Sequence, residues 1–255
     1  MHVPEKRSMR RPERTTAVRN RDARVAGLLY LIAIIVGVFG LLYLPDRLIT
    51  SGDPTATAHN IIAHEFLLRL AIVTDIIGGA LWLFVVLALY QLLKDVDRTQ
   101  AVLMVVLGAL MQVPLFFVNV VNYVAALLLV TGTSFLAVFS EAQRDALAML
   151  FLRLHYYELL ASFMFAGLWL FPFGILVFKS GFLPRILGVW LVVDGFAWIA
   201  MCITGFLAPQ YADKVESLTS PIRFAEIAIT LWLLIFGART FGARSASKPE
   251  SPLPA

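Results

Sequence analysis

Six long apolar segments dominate the sequence, and they constrain the fold more than any other feature. They cover residues 25–44, 67–93, 101–130, 156–178, 183–208 and 221–238. A helix needs roughly 20 mostly apolar residues to cross the hydrocarbon core of a bilayer, which is about 30 Å thick. Each segment is close to that length or longer. The sequence therefore predicts an all-α integral membrane protein, a bundle of six transmembrane helices.

The composition and the single cysteine narrow the class further. Of the 255 residues 60% are hydrophobic and only 15% are charged, whereas soluble domains carry about 25% charged residues. The only cysteine, Cys202, excludes an intramolecular disulfide and any multi-cysteine metal site. The first apolar segment follows a basic tail but is too long for a typical signal-peptide core. We therefore expect it to remain as an uncleaved membrane anchor.

The basic residues predict the orientation of the bundle. Cytoplasmic segments of membrane proteins are enriched in lysine and arginine. With the N-terminus inside, fifteen of the 21 basic residues fall on the cytoplasmic side of the plasma membrane and six fall outside. The sequence thus predicts that both termini are cytoplasmic, and an even number of spans follows from that.

The two ends of the chain differ in composition from the apolar domain at 25–240. Residues 1–24 and 241–255 are poor in bulky apolar side chains, so both are predicted to be disordered cytoplasmic tails. The basic N-terminal tail is expected to lie against anionic lipid headgroups. The bilayer and these lipids are the predicted partners. No nucleic acid is expected, because most basic residues flank helices on one side of the membrane.

Short amphipathic helices are predicted in the first and second outer connections. Asp53 and Pro54 form a typical helix start, with aspartate as the cap and proline at the first helical position. Ser140 and Gln143 have the spacing of a capping box. Apolar residues recur at helical spacing after Ser140, so this second stretch either lies in the interface or extends the fourth span outward.

Several segments together resemble one known family. They are Arg24-Val-Ala-Gly-Leu-Leu-Tyr-Leu-Ile-Ala, Arg69 with Asp75, Leu183-Pro184-Arg185-Ile186-Leu187, and the stretch from Pro221 through Glu226 and Trp232 to Gly237. In these the chain resembles the uncharacterised bacterial multi-span membrane proteins grouped as domain of unknown function 4386. The resemblance covers roughly residues 24–240. It implies the fold and a location in the bacterial cell membrane, and it implies no activity.

Polar side chains inside the apolar segments are the candidates for function, because ionisable groups in a bilayer are costly. Counted by depth along their helices, Asp75, Gln112 and Asp194 fall near the midplane of the bilayer. The other polar candidates fall in the outer half of the bilayer or at its rim. The candidate interior polar site comprises Arg69, Asp75, Gln112, Asn119, Asn122, Asp194, Arg223 and Glu226. The predicted polar interior therefore opens toward the outer face.

The partners of these groups follow from depth and spacing. Arg69 is expected to pair with another helix, through Glu226 or Glu158. Arg223 is expected to pair with Glu226, three residues later. A purely structural interpretation of Asn119, Asn122 and the Arg223–Glu226 pair is that they hold neighbouring helices together.

No basic residue lies at the depth of Asp75 or Asp194. Each of these carboxyl groups is therefore expected to be protonated, bridged by water or bound to a cation. The indoles of Trp190 and Trp198, one helical turn to either side, are within possible reach of Asp194.

A weak metal motif is also present. His155 and Glu158 share a helical face, and His59, His64 and Glu65 in the first outer connection are placed to join them. No His-Glu-x-x-His or Gly-x-Ser-x-Gly motif occurs. No cofactor is predicted.

Four functions remain open from the sequence. The first, and the leading one, is a non-enzymatic plasma-membrane bundle with a polar interior. The second is a small proton- or cation-coupled transporter that uses Asp75 and Asp194. The third is a metal-dependent membrane hydrolase that uses His155 and Glu158. The fourth is a sensor or scaffold that acts through its tails.

Overall fold

The computed structural model describes residues 16–40 and 47–238, and all regular secondary structure in that part of the chain is helical. The α-helices are α1 (Thr16–Val38), α2 (Pro54–Ala63), α3 (Glu65–Leu93), α4 (Arg98–Val105), α5 (Gln112–Thr131), α6 (Glu141–Lys179), α7 (Arg185–Leu207), α8 (Ala212–Thr219) and α9 (Phe224–Ile235). A π-helical segment, Val106–Leu110, joins α4 to α5. Short 3₁₀ turns lie at Ser134–Leu136 and Pro209–Tyr211.

Five helical stretches among the described residues are long and apolar enough to cross a membrane. They are Glu65–Leu93, Arg98–Thr131, Glu141–Lys179, Arg185–Leu207 and Pro209–Ile235. These stretches contain the second to fourth predicted spans and most of the fifth and sixth, so the all-α prediction holds for this part of the chain. The first predicted span begins within α1, and its last four residues, 41–44, lie outside the described residues.

The first helix begins nine residues earlier than the predicted span. Arginine has a high helix propensity, so the basic segment before residue 25 can continue the apolar helix. Arg19 lies over the ring of Phe182, 4.7 Å from its centre, and the Asn20 side chain accepts a hydrogen bond of 2.9 Å from the Ala238 N–H. Residues 16–24 are therefore helical and docked rather than disordered. The remainder of the predicted N-terminal tail and the tail at 241–255 lie outside the described residues.

The long helices pack in chain order around a closed ring. α1 packs against α3, α3 against α5, α5 against α6 and α6 against α7, while α9 contacts both α7 and α1. Trp169 of α6 is 1% exposed and lies at the centre of this ring. The Trp169 indole is edge-on to the Trp82 indole, with 5.0 Å between their centroids. It is tilted to the Tyr30 side-chain ring, with 6.2 Å between centroids. Aromatic packing thus fills the middle of the bundle.

The two predicted helix starts form as expected. The Asp53 side chain accepts a hydrogen bond of 2.9 Å from Ala56 N–H and caps α2, with Pro54 at its first position. At Ser140 both bonds of the capping box are present, at 2.9 and 3.4 Å.

Of the two alternatives for the second connection, the structure has the one in which the stretch extends the fourth span and does not form a separate short helix. Helix α6 runs without interruption for 39 residues from Glu141 to Lys179. Neither glycine nor proline occurs between residues 141 and 166, so nothing in the backbone favours a break there. The amphipathic stretch therefore extends the fourth predicted span.

Glycines bring α6 and α7 into backbone contact. A Cβ atom on Gly167 would lie 2.4 Å from the Gly195 carbonyl oxygen, and one on Gly174 would lie 2.6 Å from the Gly188 carbonyl oxygen. The two glycines on each helix are seven residues apart, so they lie on one face. Small residues at matching positions permit this close approach of membrane helices.

An ion pair between Asp97 and Lys179 lies at the α4 end of the bundle. Asp97 caps α4 by accepting a hydrogen bond from Gln100 N–H, and its other oxygen lies 2.9 Å from Nζ of Lys179. The hydrogen bond from Lys179 holds the pKa of the Asp97 carboxyl below its usual value. This contact joins the start of α4 to the end of α6.

Candidate functional site

Three helices contribute to a cluster of polar side chains in the bundle, which we call the carboxylate cluster: Tyr30, Asp194, Trp198, Arg223 and Glu226. Glu226 accepts a hydrogen bond from the Tyr30 hydroxyl and another, of 3.1 Å, from the Trp198 indole N–H. Tyr30 is 1% exposed. Glu226 of α9 is thus held by one donor from α1 and one from α7.

Asp194 is the least satisfied group of the carboxylate cluster. Its residue is 0% exposed, and neither side-chain oxygen has a hydrogen-bond partner among the described residues. It interacts electrostatically with Glu226 and with Arg223. Neither indole that the sequence placed one turn away donates to Asp194, and the Trp198 indole donates to Glu226 instead.

Arg223 is the cation nearest to these acids, and it is already engaged. Its Nη2 lies 2.6 Å from Oε1 of Glu216, and its guanidinium stands over the Trp198 ring at 5.2 Å. The predicted ion pair between Arg223 and Glu226 is therefore wrong. Glu216 is at the rim, with a side chain 57% exposed, so the positive charge is drawn outward, away from Asp194.

The cluster thus contains two acids and one cation, and a third acid already pairs with that cation. Burial of an ionised carboxylate without a hydrogen bond is costly, and the usual outcomes are protonation or capture of a cation. Glu226 is stabilised by two donors, whereas Asp194 has none. Chemically, Asp194 is suited to take up and release a small positive ion.

A second group of polar contacts, the amide cluster, joins α5 to α6 and consists of Asn119, Asn122, His155 and Glu158. The Asn119 amide donates to the His155 carbonyl at 3.2 Å. The Asn122 amide lies 3.0 Å from Asn119 Oδ1 and 3.2 Å from Glu158 Oε2. The bonds to His155 and Glu158 join α5 to α6, and the bond between the two asparagines lies within α5. Contacts between helices are the geometry that a purely structural role requires.

Asp75 lies near the amide cluster and apart from Asp194. It interacts electrostatically with Tyr123, and the Tyr123 ring stacks on the His155 imidazole at 3.7 Å. A Cβ atom on Gly40 would lie 3.6 Å from its Oδ1. The two midplane carboxyl groups predicted from sequence therefore belong to different polar environments.

The remaining predicted site residues, Arg69 and Gln112, have partners outside both clusters. Arg69 pairs with Glu65 of its own helix, with 2.5 Å between Nη2 and Oε1, so the predicted pairing with Glu226 or Glu158 is wrong. Gln112, 6% exposed, donates to the carbonyl groups of Leu107 and Phe165, each at 3.3 Å. It thereby satisfies a carbonyl of the π-helical segment and bridges to α6.

The metal hypothesis gains no geometric support. Within residues 16–40 and 47–238, no three His, Cys, Asp or Glu side chains are grouped so as to hold a metal ion. His59, His64 and Glu65 therefore do not complete a site with His155 and Glu158. The Glu158 carboxylate instead accepts a hydrogen bond from Asn122.

Sequence reasoning missed three members or neighbours of the carboxylate cluster: Tyr30, Trp198 as a donor to Glu226, and Glu216. Tyr30 is the only side chain with a hydroxyl or charge between residues 25 and 42. That isolation within an apolar helix was a usable signal. Glu216 lies seven residues before Arg223. Because a turn separates α8 from α9, helical spacing does not predict that these two side chains meet.

Comparison with known proteins identifies a family. A family model described as a domain of unknown function, DUF4386, matches residues 25–237. The matched region contains both the carboxylate cluster and the amide cluster. No curated protein and no solved structure matches the chain significantly.

Proposed function

This chain belongs to the DUF4386 family, and we propose that it is a small proton- or cation-coupled transporter built around Asp194 and Glu226. The observation that carries the proposal is the state of Asp194. It is fully buried, neither oxygen is hydrogen-bonded within the described residues, and the nearest cation is paired elsewhere. Ionisable groups inside membrane helices are commonly parts of ion pathways.

The acid pair differs from the one that the sequence predicted. Asp75 is placed beside Tyr123, while Glu226 shares the cluster of Asp194. The negative charge of Glu226 is stabilised by two hydrogen-bond donors, whereas that of Asp194 has none among the described residues. Because the two acids interact, a positive ion is taken up preferentially at Asp194. Asp194 is the binding residue in this proposal, and Glu226 tunes its charge.

The proposed setting is a six-span protein of the bacterial plasma membrane with both termini in the cytoplasm. The distribution of basic residues supports this orientation. Arg21 and Arg24 support a role for anionic lipids, since they flank a groove at the start of α1 that also includes Leu28 and Leu234. An anionic headgroup with its acyl chain has the charge and polarity that this groove complements.

The orientation can be tested with a membrane-impermeant thiol reagent in intact cells, after Cys202→Ala removes the native thiol. Asp213→Cys and Ser140→Cys, both at exposed positions, are expected to be labelled. Asp97→Cys is expected to be labelled only after the cells are opened. Labelling of Asp97→Cys alone in intact cells would overturn the proposed topology.

The chemical state of Asp194 is tested by infrared spectroscopy in a buffer whose only cation is choline. With no metal cation to bind, a buried carboxyl without a hydrogen bond is expected to carry a proton. Wild type should then show a protonated-carboxylic-acid carbonyl band at pH 7 that Asp194→Asn lacks. If the two proteins have the same carbonyl region, Asp194 holds no proton and the proposal fails.

A further inference from the structure

We infer that Asp194 and Thr230 together bind one dehydrated alkali cation between α7 and α9. The inference rests on the proposed function and names the ion that the site takes. The carboxylate cluster supplies the negative charge, and a neutral hydroxyl on the facing helix supplies a further ligand.

The first observation is a pair of unsatisfied groups on facing helices. Asp194 and Thr230 are both 0% exposed. The two carboxylate oxygens of Asp194 and the hydroxyl oxygen of Thr230 have no hydrogen-bond partner in the described part of the chain. Buried polar atoms without partners are rare and need an explanation, such as an ion that is not present.

The second observation is the register of the two helices. α7 and α9 meet where the Trp198 indole N–H donates to Glu226. As successive spans of one membrane protein, they run in opposite directions. Asp194 lies one turn before Trp198, and Thr230 lies one turn after Glu226 on the same helical face. Asp194 and Thr230 are therefore at the same level.

The ligand chemistry points to a hard cation. Carboxylate and hydroxyl oxygens suit ions that prefer oxygen ligands. Glu226 is stabilised by its two donors, and the charge of Arg223 is offset by Glu216. Among the described residues, Asp194 is then the carboxylate of the cluster whose charge has neither a hydrogen-bond donor nor a paired cation. A monovalent ion balances the charge of this one carboxylate.

The test is the thermal midpoint of the purified full-length protein in detergent, measured in sodium chloride and in choline chloride at equal ionic strength. Sodium is expected to raise the midpoint of wild type by about 3 °C when it exceeds its dissociation constant about tenfold. Potassium chloride is run in parallel to rank the two alkali ions.

The shift should vanish in Thr230→Val, which keeps the side-chain shape but removes the hydroxyl, and in Asp194→Asn. Asp75→Asn is the matched control, because it alters an interior carboxyl outside the carboxylate cluster, and it should keep the shift. Equal midpoints of wild type in sodium, potassium and choline would overturn the inference, as would a full sodium shift in Thr230→Val.

Failure of this test is distinguishable from failure of the proposed function. The infrared band of Asp194 is measured without alkali ions, so it does not depend on their binding. A band that Asp194→Asn lacks, combined with no alkali-ion shift, leaves a proton as the ion and removes only the inference made here.

Discussion

Replacing Gly167 by leucine is expected to prevent the native packing of α6 against α7. The first side-chain carbon would lie 2.4 Å from the Gly195 carbonyl oxygen and 2.6 Å from Cγ1 of Ile199. The first of these neighbours is backbone and cannot rotate away, so the helices must separate. Overpacking of a core costs typically 1–3 kcal/mol even when side chains can adjust, against a total stability of about 5–15 kcal/mol.

The effect of this variant is measured as the yield of monodisperse protein in detergent and as its thermal midpoint. Gly37→Leu is the matched control, because a Cβ atom at Gly37 meets nothing within 4 Å. The control should behave as wild type, while Gly167→Leu should aggregate or melt far lower. A Gly167→Leu protein with the wild-type midpoint would show that α6 and α7 are not in backbone contact.

One helix of this contact, α7, also carries Asp194 of the proposed site. Asp194 directly precedes Gly195, whose carbonyl faces Gly167. The close approach of the helices therefore excludes lipid from one side of Asp194 and fixes its depth. Gly195, which packs against α6, and Asp194, which carries the proposed function, are therefore neighbours on α7.

The sequence predicts the helices well because their signals are local. The apolar segments and the caps at Asp53 and Ser140 depend only on residues within a few positions of one another. The extension of α1 back to Thr16 was missed, because the hydrophobic signal ends where the helix leaves the apolar layer. Its docking depends on Asn20 and Ala238, which are far apart in sequence.

The side-chain partners were predicted poorly because depth does not fix direction around a helix axis. Arg69 was matched to acids at similar depth on other helices, yet Glu65 lies one turn away on its own helix. Glu226 was assigned to Arg223 by spacing, yet its donors Tyr30 and Trp198 come from two other helices. Such pairs are set by tertiary packing, which a single sequence does not specify.

The isolation of Asp194, in contrast, was readable from the sequence. It was expected to lack a basic partner because no lysine or arginine lies at its depth, and in the structure neither oxygen is hydrogen-bonded within the described residues. The same reasoning did not separate Asp194 from Asp75. Their environments differ through neighbours that come from distant parts of the chain, among them Glu226 for the first and Tyr123 for the second.

The second large effect is expected at Asp194 itself, in a transport assay. Asn has nearly the same size as Asp and stays neutral, so Asp194→Asn keeps the packing and removes the group that gains and loses a positive ion. Glu65→Gln is the control, because it changes an exposed acid that pairs with Arg69 on α3. Asp194→Asn is expected to abolish transport at an unchanged thermal midpoint in choline buffer, while the control retains it.

The most direct test is ion movement in vesicles reconstituted with the purified protein and loaded with a pH-sensitive dye. A pH gradient is imposed alone in one set of vesicles and together with a sodium gradient in another. Wild type is predicted to dissipate the pH gradient faster than protein-free vesicles in at least one set, and Asp194→Asn is predicted to match protein-free vesicles in both. Wild-type rates equal to those of protein-free vesicles in both sets, or wild-type rates in Asp194→Asn, would contradict the proposed role of the buried carboxylate.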